Sequence, residues 1–337
     1  MSHSSSGAAT PTPFVTDADV AVLAQWPAAI EALRNAYAQP ATDDMVPPRV
    51  MARGQGFWLR GLCAISPSAQ YMGCKLIAAS PKIKRASYLI SLFDQRTMEL
   101  AALIDGNRIT DIRTAATSVV GINAAAKAGP LRVGVIGSST LARNTLEALA
   151  AVRDIATVRV FSPSPANRQK YADDFKASHG LDIVAVDSPA QAVQGADVVL
   201  CAARSKDESP VFLGEWLEPG MVVVSVGSTL PEQREVDVAA MERATLIVAD
   251  MVQEIIHDTG DAIAAVAAGV EVAAKTVGLA DVVSGRVAAR RSPEDIVIYK
   301  SVGSALQDIA TAEMLLRRAL DTGHYLPMPA SIVTITR

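Results

Sequence analysis

Apolar residues change texture twice along this chain. Between residues 17 and 38 they recur at helical spacing through Ile30, Leu33 and Tyr37, with Thr16 or Asp17 where a cap belongs, which predicts one helix or two. A polar, proline-rich break follows at 39–48. From 50 to 103 the apolar runs are short, at 57–59, 71–78, 87–93 and 100–104, each bounded by Gly, Pro, Ser or Asp. Such runs predict a mostly antiparallel sheet. Residues 112–128 return to helical spacing.

At Leu131 the second change begins. Residues 131–137 read as a buried strand, 138–140 as a turn, 141–152 as a helix and 157–161 as another strand, the spacing of a βαβ unit. Strand-like runs recur at 182–186, 196–202, 221–227 and 244–249, separated by helical or turn sequence. The fold class is therefore α/β, a Rossmann-type doubly wound parallel sheet joined to an α+β unit. Residues 300–320 predict a last long helix, and the tail at 325–337 is apolar enough to pack back. The expected organisation is a disordered tail at 1–14, an α+β unit of 15–128 with 300–337, and the Rossmann-type unit at 129–299.

Composition narrows the class. With 337 residues, 50% of them hydrophobic and 20% charged, the chain can build two cores. Cys63, Cys74 and Cys201 lack metal-ligand spacing, so buried free thiols in a reducing compartment are expected. His3, His179, His257 and His324 are too scattered to suggest a zinc site. The first ten residues lack a basic and an apolar signal region, and the apolar stretch 262–274 is short and broken by Glu271, so a cytoplasmic protein with no membrane partner is expected. A net charge of -4 with 4% aromatic residues offers no footprint for nucleic acid.

Within that acidic chain, the segment from Met45 to Phe93 contains no Asp or Glu yet holds Arg49, Arg53, Arg60, Lys75, Lys82, Lys84 and Arg85. Such a cationic island points to an acidic ligand. Lys82, Lys84 and Arg85 follow Pro81 and read as a solvated face, whereas Arg49 ends a stiff proline approach and Lys75 is embedded in an apolar run. A lysine buried in that way needs an anion, either a bound carboxylate or a structural acid elsewhere in the chain.

A strand ending in glycine before a helix is what a pyrophosphate requires, since free N–H groups and the helix dipole face the anion. Here Gly134 and Gly137 precede Ser138, Ser139 and Ala142, so serine replaces one customary glycine. The second strand ends in Phe161, Ser162, Pro163, Ser164, Pro165, Ala166, Asn167 and Arg168, with no acid for a ribose 2′-hydroxyl. That composition favours NADP(H) over NAD(H).

These features converge in Pro48-Arg49, Gly73-Cys74-Lys75, Leu103-Ile104-Asp105-Gly106, the run from Ile112 through Arg113 to Ser118, the turn from Gly137 to Ala142, Leu217 to Gly220, Val226-Gly227, Glu235-Val236-Asp237 and the run from Lys300 to Ala305. From about Pro47 to Leu320 the chain resembles the ornithine cyclodeaminase and mu-crystallin family. The resemblance implies a homodimer built through the N-terminal α+β unit, which the final helix rejoins and which also binds substrate. It implies a nicotinamide in the cleft between units. It assigns the substrate α-carboxylate to Arg49, Lys75 and Arg113, with Arg60 nearby, and catalysis to Asp237 and Lys75. Cofactor binding falls to Gly137, Ser138, Ser139, Thr140, Leu141, Ser162, Ser164, Arg168, Thr114, Ala202, Val226, Gly227 and Ser301. Read without the family, Asp237 is a cap for a helix at 238–243.

Cyclodeaminases of this family carry an acid in the strand before the lysine motif to hold a side-chain ammonium, and here residues 57–64 contain none but include Arg60. A second carboxylate would suit Arg60 or Arg53. The resemblance thus implies NAD(P)H-dependent reduction of a 2-imino acid to an amino acid, or the reverse oxidation. The alternatives are cyclodeamination of a basic amino acid and a non-catalytic NADP-binding protein.

Overall fold

Capping decides where the first helix begins. Thr16 Oγ1 accepts from the Asp19 amide at 3.2 Å while Asp19 Oδ2 accepts from the Thr16 amide at 3.0 Å, a reciprocal pair that satisfies two helix-start donors. The computed structural model describes residues 11–205 and 207–335. The expected disordered tail lies outside them as far as residue 10, but Pro13–Val15 (β1) is strand, not tail. After it come Asp17–Leu23 (α1) and Trp26–Ala38 (α2), then Val50–Gly54 (β2), Phe57–Ile65 (β3), Tyr71–Ser80 (β4), Arg85–Asp94 (β5), Leu100–Asp105 (β6) and the helix Asn107–Ala125 (α3). This last helix starts earlier than its apolar pattern predicts, because Asp105 Oδ1 accepts from the Asn107 amide at 2.9 Å and fixes the turn at Gly106.

The second half alternates. Leu131–Ile136 (β7), Thr140–Ala150 (α4), Ile155–Phe161 (β8), Pro165–His179 (α5), Ile183–Ala185 (β9), Pro189–Val193 (α6) and Val198–Cys201 (β10) are followed by Val222–Ser225 (β11) and Val238–Arg243 (α7). Leu246–Ala249 (β12), Val252–Asp258 (α8), Gly260–Ala267 (α9), Thr276–Gly278 (β13), Leu279–Val283 (α10), Val297–Lys300 (β14), Ala305–Thr322 (α11) and Leu326–Pro327 (β15) complete the chain.

Two sheets result. The seven-stranded sheet has order β15-β1-β6-β5-β4-β3-β2, antiparallel except where β1 runs parallel to β6. The eight-stranded sheet has order β13-β12-β14-β11-β10-β7-β8-β9 with every pairing parallel. Its strands β10, β11 and β14 are buried along their whole length, as a sheet covered on both faces demands.

Lys300 departs from expectation. It ends β14 in the middle of the parallel sheet, and the last helix begins only at Ala305. The strand can hold a lysine there because Lys300 Nζ meets Asp261 Oδ2 at 2.7 Å with both side chains fully buried. Local pattern cannot anticipate that partner. The tail does pack back in part, since β15 pairs with β1 and the Met328 amide donates to Thr12 O at 2.9 Å. Cys201 is buried as expected, but Cys63 is exposed on the outer face of the first sheet. That face also exposes Val50, Leu59, Leu76 and Leu89, with α11 packed against the other. No described helix is long and apolar enough to cross a membrane.

Gly134 in β7 abuts the carbonyl of Ala192, with no room for a Cβ. Gly134→Ala is expected to cost about 1–3 kcal/mol of stability by overpacking. Gly54→Ala, where nothing lies within 4 Å, should be near neutral. Urea midpoints of the two variants check the contrast.

Candidate active site

In the parallel sheet the strand order turns outward in both directions from the boundary between β7 and β10, and a crevice at the carboxyl ends of such strands is where ligands bind. Those ends carry Gly137 and Ser138 after β7, Ser162 after β8, Ala202 after β10, Val226 and Gly227 after β11, and Ser301 after β14. Gly137 has φ 108°, a backbone that L side chains rarely adopt, and a Cβ there would lie 2.9 Å from Ala202 O. Ser139 caps α4, accepting from the Ala142 amide at 3.2 Å and donating to Ala202 O at 3.1 Å. Its hydroxyl is therefore engaged by the protein. Among the described residues, the amides of Ser139, Thr140 and Leu141 have no protein acceptor and form an open first turn.

The end of β8 is more closed than its sequence suggests. Ser138 Oγ donates to Ser162 Oγ at 3.0 Å, Ser164 caps α5, and Arg168 turns back to donate to Ser162 O at 3.2 Å while pairing with Asp187. Thr114 lies in α3, its hydroxyl donating to Thr110 O at 2.7 Å.

The cationic segment resolves into distinct fates. Lys82, Lys84, Arg85 and Arg53 are exposed. Lys75 is fully buried, and its Nζ donates to Asp308 Oδ1 at 2.7 Å and to Thr110 Oγ1 at 3.3 Å. Burial lowers the Lys75 pKa to about 8, opposed by the Asp308 carboxylate. Arg113 Nε lies 3.3 Å from that same oxygen, and its Nη1 donates to Gln307 Oε1 at 2.8 Å. Gln307 Nε2 in turn donates to Asp250 Oδ2 at 2.9 Å. Asp250 also accepts from Ser301 Oγ, the Val302 amide and the Gly303 amide at 2.5, 3.0 and 2.8 Å. Gly303 is required here, since a Cβ would lie 2.5 Å from the Arg113 guanidinium. Arg49 bridges to the same region, with Nε 2.9 Å from Glu254 Oε2 and its two terminal nitrogens donating to Val302 O and Thr229 O.

The structure thus brings together Lys75, Arg113, Arg49 and Ser301, and adds Asp308, Gln307, Asp250 and Glu254, which sequence reasoning did not single out. Asp308 and Gln307 were detectable only as polar residues on a helix that also buries Thr311 and Glu313, where each such group needs a partner.

Asp237, expected to be catalytic, takes no part in this hydrogen-bond network among the described residues. Its Oδ1 accepts from the Ala240 amide at 2.7 Å and the Gly214 amide at 2.9 Å, so the carboxylate caps α7 and ties down a neighbouring turn. Glu235, two residues earlier, sits under the crevice instead. It accepts from the Ala203 amide at 3.0 Å, the Gly227 amide at 2.9 Å and Ser225 Oγ at 2.7 Å. Burial raises its pKa to about 7, opposed by Lys300.

Comparison with known proteins gives a consistent picture. The family model for the ornithine cyclodeaminase/mu-crystallin family matches residues 12–323. A delta(1)-pyrroline-2-carboxylate reductase of Bacillus cereus is 29% identical over 266 residues, 77% of this chain and 81% of that protein. Among solved structures, delta(1)-pyrroline-2-carboxylate reductase of Thermococcus litoralis with NADH and L-proline superposes with TM-score 0.85 at 25% identity, covering 94% of this chain and 100% of that one. Iminosuccinate reductase of Paracoccus denitrificans with NAD+ superposes with TM-score 0.84 at 25% identity, covering 94% and 98%.

Asp308→Asn leaves two buried cations without their anion and is expected to destabilise the protein by about 3–5 kcal/mol. Asp237→Ala loses the cap and the acceptor of the Gly214 amide, about 1–2 kcal/mol, and Asp237→Asn, whose amide oxygen accepts in the same place, much less. Denaturant unfolding of the three variants gives the ranking.

Proposed function

The chain belongs to the ornithine cyclodeaminase/mu-crystallin family, and from that premise we propose that it is an NAD(P)H-dependent oxidoreductase that reduces 2-imino acids to amino acids. The observation that carries this reading is the buried Lys75 and Arg113 pair sharing one carboxylate oxygen of Asp308, beside the Ser301 to Gly303 link that leaves the carboxyl edge of the parallel sheet. Relatives named for reduction of a C=N bond support it.

The crevice fits a dinucleotide. Open amides at the start of α4 suit a pyrophosphate, and Gly137 lets the backbone turn there. When bound, the reduced nicotinamide supplies the hydride. Arg113 Nη2, with no protein acceptor among the described residues, is available to the substrate carboxylate. Lys75 Nζ adds a second positive charge and carries the proton for the imine nitrogen. Arg49, engaged by Glu254, Val302 and Thr229, holds the substrate wall in place. Cyclodeamination of a basic amino acid is disfavoured because the β3 face next to Lys75 presents Arg60 where an ammonium would need an acid.

Two finer readings belong to the same proposal. NADP(H) is favoured over NAD(H), since Ser162 stands where a ribose-binding acid would repel a 2′-phosphate and Arg168 lies against it. Two copies of the chain meet through the outer face of the seven-stranded sheet, where Val50, Leu76 and Leu89 align across neighbouring strands and stay exposed.

Reduction of a 2-oxo acid with ammonia or an amine should consume one NAD(P)H per amino acid formed, and ornithine should release little ammonia. Lys75 is protonated below about pH 8, so kcat/KM for reduction should hold there and fall as pH rises through that value. Lys75→Met should abolish the break along with most of the rate, about two to four orders of magnitude. Catalytic turnover of ornithine without net cofactor consumption would reverse the reading.

Fluorescence titration is expected to show tighter binding of NADPH than of NADH, and Ser162→Asp should invert the order. A native preference for NADH would refute that part alone.

A further inference from the structure

Most cations of the acid-free segment are accounted for by solvent or by a carboxylate. Arg60 is the exception. It is half-buried in β3, its Nε is buried without a hydrogen-bond partner, and no carboxylate among the described residues lies within ion-pair distance. Its one polar contact is weak, Nη2 to Met51 Sδ at 3.9 Å, and its guanidinium stacks 5.1 Å from the centroid of Trp58. Burial and the neighbouring Arg49 both lower its pKa, so the site resists this charge and still contains it.

Register gives its direction. Arg60 pairs with Ile77 and Leu62 with Lys75, so Arg60 and Lys75 project from the same face of the sheet as diagonal cross-strand neighbours, about 7–8 Å apart. Ile77, Leu62 and Lys75 are all buried, which makes this the face turned towards α11 and the cation cluster. Arg60 acts electrostatically on Lys75 and Arg49 alike. Arg53, the other candidate, is exposed.

We infer that Arg60 binds a second carboxylate of the substrate, so that the pocket selects 2-imino dicarboxylic acids over monocarboxylic ones. The α-carboxylate sits with Arg113 and Lys75, and the distal carboxylate meets the guanidinium stacked on Trp58. A planar guanidinium held by an aromatic face is preorganised for a two-pronged grip on carboxylate. An otherwise unpaired cation in a partly desolvated pocket gains its anion only when such a substrate arrives.

The kinetic arm of the test rests on the reductase reading, and the binding arm does not. With the whole 337-residue chain, reduction of oxaloacetate plus ammonia is compared with pyruvate plus ammonia by NAD(P)H absorbance. The wild type should favour oxaloacetate in kcat/KM, and Arg60→Gln should reduce that preference by about 30-fold or more, with Arg60→Lys recovering part of it. In the binding arm, malate should raise the melting temperature of the wild type more than lactate does, and Arg60→Gln should erase the difference. Loss of both keto acids in equal proportion, weaker NADPH binding by Arg60→Gln, or equal shifts by malate and lactate in the wild type would overturn the inference. If neither keto acid is reduced, the reductase reading fails while the malate shift still decides the role of Arg60.

Discussion

One carboxylate holds the candidate site together. Asp308 is fully buried, and a single oxygen of it meets both Lys75 and Arg113, which arrive from a strand and a helix far apart in sequence. Neither cation could stay in that interior without it, and the cost of stranding a buried charge is several kcal/mol. The pairing joins β4, α3 and α11, and Gln307 extends it to Asp250 at the end of β12. Position and charge of the proposed substrate anchors therefore rest on a residue that need not touch the substrate.

A second buried set governs the other wall. Lys300 pairs with Asp261, and Asp261 Oδ1 accepts from the Glu235 and Val236 amides at 2.7 and 3.1 Å. Glu235 reaches the turns after β10 and β11 through the Ala203 and Gly227 amides. Fixed polar groups beneath a crevice cost little reorganisation when a ligand binds, which is the virtue of a preorganised site. The second set uses charged residues at element ends, Lys300 closing β14 and Asp261 in the first turn of α9, whereas Lys75 and Arg113 of the first lie inside a strand and a helix.

Short apolar runs and helix caps made most elements legible from sequence, because both depend on neighbours within a few positions. The central strand β14 was hidden by Lys300, which reads as the polar start of a helix until Asp261 is known to face it. The lysine in the apolar run of β4 announced that it needed an anion, but nothing local could say whether that anion was ligand or protein. Asp308 lies 233 positions away in the chain. Asp237 shows a complementary limit. A motif that places an acid near a cleft says nothing about which donors its oxygens already satisfy, and here two backbone amides take Oδ1.

Among the described residues the chain passes between the two sheets at two places, the link from α3 to β7 at 126–130 and the link from β14 to α11 at 301–304. Side chains tie the two halves together as well. Helix α3 lies against α4 and against β11 and β14 of the parallel sheet. Arg49, just before β2, is bonded to Glu254 and Thr229 of the other half, and Gln307 reaches Asp250 after β12. The residues proposed to anchor the substrate are therefore also staples between the two sheets, so substituting one of them disturbs the joint as well as the pocket.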